Sequence, residues 1–200
     1  MAKRIDEILS QIKTLENELL DELKAKEKEF FYTIEDKKVK FEEEVIKEGK
    51  SKIVSSIKYL SSFSIPAMLV LPFIWSMIVP AVILDISATI YQAVCFPVYK
   101  IPKVKRSEYV IMDRYNLFYL DRFEKISCWY CEYFNGVIAY VREMAARTEQ
   151  FWCPIKHAQA LKENHSRYDT FFDFGDYIKY REELETRRSD FTNLEEETKA

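Results

Sequence analysis

The chain reads as a mainly α protein: a long amphipathic or coiled-coil N-terminal helix, a membrane helical hairpin and a small helical domain carrying cysteine and histidine. Three observations predict this. Only three glycines occur in 200 residues, which argues for long helices and against a turn-rich β-protein. Hydrophobic and charged residues are both abundant, at 48% and 32%, so very polar and very apolar regions must alternate along the chain. Between Tyr59 and Tyr99 the only charged residue is Asp85.

The expected segments are 1–58, 59–99, 100–190 and a flexible tail, 191–200. In the first, Ile5, Ile8, Ile12, Leu15 and Leu19 follow a 3-4-3-4 spacing, the a/d pattern of a coiled coil. Phe30, Ile34, Phe41 and Val45 resume an apolar stripe, so helix is expected over 2–58. Residues 2–30 are the expected contact with a second copy of the chain. Met1 to Asp21 is charged throughout and lacks the apolar core of a signal peptide. The polar regions are therefore expected in the cytosol, where thiols stay reduced.

In the second segment, Ser61 to Leu84 is a run of 24 uncharged residues, longer than a helix needs to span hydrocarbon. Lys47, Lys50, Lys52 and Lys58 precede the apolar stretch, and Lys100, Lys103, Lys105 and Arg106 follow it. Positive charge on both flanks favours both in the cytosol. That predicts a hairpin, as two spans or as a re-entrant loop, bent near Pro80 to Asp85 and contacting membrane lipid. Asp85 is costly in hydrocarbon and should sit at the bend, or face protein or water.

In the third segment, Tyr109 to Met112 reads as a short β-like run or an extended link, and Tyr115 to Arg147 as helical with a break near Asn135-Gly136. Val137, Ile138, Val141, Met144 and Ala145 are the expected inner face. Pro154 suits the first turn of a helix, so Cys153 is expected to cap a new helix, Pro154 to Glu163. A charged helix is expected from about Asp176 to Arg188, with 193–200 frayed.

Cys128, Cys131, Cys153 and His157 are the candidate metal ligands. They form C-W-Y-C and C-P-I-K-H, three of the four cysteines and one of the two histidines. C-x2-C and C-x3-H each place two ligands on one local turn, and folding back the helix between them would complete a tetrahedral set. Three thiolates and one imidazole suit a structural zinc, or alternatively an iron–sulfur cluster. A redox dithiol and plain packing cysteines are the other readings. The dipole at a helix start would favour the Cys153 thiolate.

Arg142, Glu143, Arg147 and Glu149 lie between the two pairs. They read as ion pairs, or as polar support for the site, with Arg142 reaching Tyr130 or Glu132 and Glu149 accepting from His157. His165, Arg167, Tyr168, Asp173 and Asp176 form a polar–aromatic cluster. A net charge of -3 and the absence of a recognisable motif give no support to nucleic-acid binding. The chain has no Gly-rich phosphate loop, nucleophile elbow or spaced acid pair. The reading is a membrane-attached, metal-binding interaction protein without enzymatic activity. An iron–sulfur electron carrier and a metal-free scaffold are the alternatives.

Part of the chain resembles a family of bacterial membrane proteins of unknown function. The matching residues include Cys95-Phe96-Pro97-Val98-Tyr99, Asp113-Arg114, Ile126 to Cys131, Asn135 to Glu143, and most specifically Ala145-Ala146-Arg147-Thr148-Glu149-Gln150-Phe151-Trp152-Cys153-Pro154-Ile155-Lys156-His157-Ala158. The resemblance covers about a third of the chain and leaves out its N-terminus. It implies a bacterial inner membrane, with the N- and C-terminal regions in the cytosol from the flanking charge. It implies no activity.

Overall fold

The computed structural model describes residues 14–15, 17–26, 29–30, 32–35, 38–51, 53, 61 and 63–192. Ile5, Ile8 and Ile12 and the tail 193–200 lie outside them. The chain is mainly helical, as expected, and divides into two compact units.

The first unit comprises Met1–Ser62 and Asp113–Ile126. Its residues 17–26 are helical. The helix expected over 2–58 is interrupted by strand, and 54–58 lie outside the described residues. Strands β1 (Tyr32–Glu35) and β2 (Lys38–Phe41) pair antiparallel, with Tyr32 opposite Phe41. The reason is local composition: Tyr-Thr-Ile and Val-Lys-Phe are β-branched and aromatic, suited to a pleated surface. The Tyr32 and Phe41 rings lie 5.9 Å apart, and Phe41 meets Phe118 edge-on at 4.9 Å. Helix α1 (Glu43–Lys50) follows. A Cβ on its Gly49 would lie 1.9 Å from Phe118 Cε2, so only glycine admits that ring.

The second unit comprises Phe63–Met112 and Ser127–Ala200. Helices α2 (Ile65–Ser76) and α3 (Ile78–Tyr99) are separated only by Met77. The bend expected at Pro80 to Asp85 is absent. Pro80 sits in the first turn of α3, where its missing N–H has no intrahelical partner to lose. Pro66 occupies the same kind of position in α2. The chain turns instead at Lys100, in the left-handed conformation with φ 56°. It then folds back through Ile101 and Val104 to the single-turn helix α4 (Arg106–Tyr109). Residues 110–112 have no regular structure.

Helix α5 (Arg122–Trp152) is unbroken for 31 residues. Asp121 and Glu124 start it with a capping box, each side chain accepting the other's backbone N–H at 2.8 and 2.9 Å. Gly136 does not end it. A Cβ there would stand 2.8 Å from Val110 Cα and 2.9 Å from the Tyr109 carbonyl oxygen, so glycine serves close approach of two backbones. Contacts pair Trp75 with Tyr130, Gln92 with Tyr140 and Tyr99 with Trp152. Numbers rise together on both sides, so α5 runs parallel to α2–α3 and beside it.

The core gathers at the C-terminal end of this pair, around Phe96, Ile101, Val104, Tyr140, Met144 and Phe191. The buried face of α5 includes Val137 and Met144 as expected, but Ile138 and Ala145 are exposed. Glu143, Arg147 and Gln150 are buried instead. After α5 the expected helix Pro154 to Glu163 is missing. Pro154 stops a helix here rather than starting one. Phe172 N–H donates to the Pro154 carbonyl at 2.9 Å, and Lys156 N–H to the Phe172 carbonyl at 2.8 Å. Helix α6 (Tyr177–Ser189) begins with the Asp176 side chain accepting from Lys179 N–H, matching the expected charged helix.

Candidate functional site

The four candidate metal ligands do not meet. Cys128 and Cys131 lie on α5, and Cys153 lies just past its end, its N–H donating to the Glu149 carbonyl at 2.8 Å. At 1.5 Å per residue, roughly 33 Å of helix axis separates Cys131 from Cys153. A shared zinc needs all its ligands within about 2.3 Å of one point. The fold-back that would have united the pairs required a break at Asn135-Gly136, and the helix runs through it. The set therefore fits neither one zinc nor one cluster within a chain. His157 donates its backbone N–H to the Tyr168 hydroxyl at 2.6 Å, and its ring stacks on the Tyr168 ring. Among the described residues no three His, Cys, Asp or Glu side chains gather as a metal site.

The environment of Cys153 also reverses the expectation. It stands at the negative end of a helix, not the positive one. Partial burial, and secondarily the Glu149 carboxylate, push its thiol up. Both effects disfavour the thiolate that a nucleophile or metal ligand needs.

Glu143 is the centre of a buried charge cluster. It accepts from Arg147 Nε at 2.7 Å and from Arg167 Nε and Nη2 at 3.3 Å. Arg147 also donates to the Pro102 carbonyl at 2.9 Å, and Arg167 to Gln150 Oε1 at 3.0 Å. Gln150 in turn donates to the Arg187 carbonyl at the end of α6. The cluster locks α5 to the strap between α3 and α4, to the loop after α5 and to the end of α6. Arg142 reaches the loop after α5. It pairs with Glu163 at 2.7 Å and donates to the Asn164 carbonyl. Glu149 meets His165 Nε2 at 3.2 Å, not His157. Since Arg167 N–H donates to His165 Nδ1, the ring proton sits on Nε2 and points at Glu149. These charges join parts of the chain.

A second polar system lines the inner seam of the apolar helices. Asp85 accepts from Arg106 Nε at 3.0 Å and Nη2 at 2.7 Å, and from the Tyr133 hydroxyl at 2.9 Å. Seven residues on, Gln92 Nε2 donates to the Val104 carbonyl at 3.2 Å and to the Tyr140 hydroxyl at 2.8 Å. Its Oε1 accepts Val104 N–H at 2.6 Å. Asp85 faces protein, one of the two outcomes expected for it. Arg106 was legible only as a flanking charge and Arg167 only as part of a polar–aromatic cluster. Gln92 is the one side-chain amide in the apolar stretch, and that is the sequence signal for this seam.

With the polar groups turned inward, the outer surface is hydrocarbon. Ile65 is 76% exposed, Phe73 74%, Ile83 60% and Val98 72%. Ile65–Tyr99, 35 residues, is the one helix among those described that is long and apolar enough to cross a membrane, and 6% of its most apolar stretch is buried. Comparison of the chain with protein-family models, with curated proteins and with solved structures found no match.

Proposed function

We propose that this chain is a membrane-attached, non-enzymatic helical protein, held on the bilayer by the outer face of Ile65–Tyr99. The observation that carries the reading is that long apolar face, exposed from Ile65 to Val98. Moving six such side chains from water to hydrocarbon gains on the order of 10 kcal/mol. Exposed apolar patches of this extent mark membrane or partner contact.

The helix lies along one leaflet rather than across the bilayer. Three features support this. Its 35 residues span about 52 Å, against about 30 Å of hydrocarbon. Basic residues flank it on both sides, favouring one compartment for both. The parallel helix α5 carries Glu132, Arg142, Glu143, Arg147 and Glu149 beside it, a costly load at the bilayer centre. Basic flanks, and the family resemblance, favour the cytosolic face of a bacterial inner membrane.

The N-terminal helix recruits a second copy of the chain. Leu15, Leu19 and Leu23 are exposed at four-residue spacing, which supports a helix-to-helix contact. The function is then that of a scaffold, with a paired N-terminal helix and a lipid-bound head.

The test is flotation of the full chain with phospholipid vesicles, before and after a high-salt wash. The chain should rise with the vesicles in both. A chain that stays at the bottom of the gradient would sink the reading.

A further inference from the structure

The exposed apolar surface does not end at α3. Along α5, Phe134, Ile138, Val141, Ala145 and Trp152 recur at intervals of four, three, four and seven residues, the spacing of a single helix face. Phe134 and Val141 are half-buried, and Ile138, Ala145 and Trp152 are exposed. On α3, Leu84, Tyr91 and Val98 are exposed at seven-residue intervals, again one face. Between the two stripes runs a groove of about 400 Å³, walled by Ala88 and Tyr91 from α3 and by Val141, Met144, Ala145 and Trp152 from α5.

The strap and α4 pack on the other side of α5, where Arg147 holds the Pro102 carbonyl and Gly136 meets Val110. Nine residues make about two and a half helical turns, so Ile138 stands opposite Arg147, and Ala145 opposite Gly136. The groove itself offers water little. Tyr91 and Thr148 share a hydrogen bond at 3.0 Å, and Thr148 also donates to the Met144 carbonyl. Glu149, the charged side chain among its described walls, is bonded to His165. Cys153 adds only a thiol, a weak donor. Water would find few partners there, whereas hydrocarbon would fit.

We infer that the lipid face of the protein continues from α3 across this groove onto α5, and that an acyl chain of the bilayer fills the groove. The inference rests on the membrane reading above and deepens it: two helices, side by side, lie against the hydrocarbon. The occupant follows from continuity. The groove borders the apolar face which that reading places in lipid, so hydrocarbon reaches it without crossing a charged surface. Arg142 and Glu149 stand one turn beyond Ile138 and Ala145, bonded to Glu163 and His165. They set the far edge of α5 at headgroup level, where ion pairs are tolerated.

The experiment measures tryptophan fluorescence of the full chain on vesicles of phosphatidylcholine brominated in its acyl chains, with unbrominated vesicles as reference. The chain has three tryptophans. Trp75→Phe with Trp129→Phe leaves Trp152 as the one reporter, in its native place. Replacing all three with Phe and adding Ala145→Trp reports from the groove wall, and adding Ile83→Trp instead reports from the outer face of α3. All three proteins should lose several-fold in emission on the brominated vesicles. Loss at Ile83→Trp, with Trp152 and Ala145→Trp both unquenched, would overturn the inference and leave the membrane reading standing. Trp152 reports without any change in the groove, so the result does not depend on how Ala145→Trp packs. An Ile83→Trp protein that neither floats nor is quenched would overturn the membrane reading, and this inference with it.

Discussion

Asp85 and Arg106, 21 residues apart, form a forked ion pair that ties the returning strap to the middle of the apolar helix. Arg106 donates through both Nε and Nη2, and Tyr133 adds a third donor. Arg106→Ala should lower stability by about 1–3 kcal/mol, a range held down by the arginine's partial exposure. Tyr133→Phe should cost less, about 1 kcal/mol. Thermal unfolding of the detergent-solubilised chain measures both. Equal stability in all three proteins would mean that the strap is held elsewhere.

Gly136→Ala sets helix propensity against packing. Alanine is favoured in a helix by about 1 kcal/mol. Its Cβ would meet backbone at 2.8 Å, and overpacking costs about 1–3 kcal/mol. Backbone cannot rotate away as a side chain tip can, so packing should win and the melting point should fall. A rise would show that Val110 moves freely off α5.

Glu143 and Arg142 are neighbours with opposite expected costs. Glu143→Gln leaves Arg147 and Arg167 buried without their shared carboxylate, and should cost about 3–5 kcal/mol. Arg142 makes an exposed pair with Glu163, so Arg142→Ala should cost under about 1 kcal/mol. Urea unfolding of the two variants gives the ratio. Similar losses would mean that the buried cluster is not what locks the head together.

The cysteines yield two expectations. Replacing Cys128 or Cys153 with serine should leave bound zinc and iron per chain unchanged, since roughly 33 Å of α5 separates the pairs. Metal that follows both substitutions would require the helix to break at Gly136. The alkylation rate of Cys153 should rise with pH to a midpoint above the ordinary thiol value of about 8.5, because burial and Glu149 favour the protonated form. A midpoint below that value would mean the thiol gains a positive neighbour.

The helical class, the apolar run and α6 were legible because each rests on local composition. The charge-free stretch announced an apolar helix of membrane-crossing length but not its course past Pro80 to Asp85, and Asp176 announced the start of α6. What stayed hidden depended on partners distant in sequence. Gly136 looks like a helix end until Val110 is brought against it. Pro154 fits a helix start as well as a stop, and its pairing with Phe172 decides for the stop. Glu143 and Arg147 look like a surface i, i+4 pair, and Arg167 makes them core. The cysteine spacing describes only the two pairs themselves. It carried no information about the straight helix between them.

Membrane attachment depends on the outer face of Ile65–Tyr99 lying in lipid. Spin labels at Leu69, Ile83 and Val94, all exposed, in vesicle-bound protein test this most directly. Each label should collide readily with oxygen, be shielded from a water-soluble nickel complex, and sit at a similar shallow depth. Labels open to nickel along the whole helix would contradict membrane attachment, and an Ile83 label far deeper than the other two would contradict a helix lying along one leaflet.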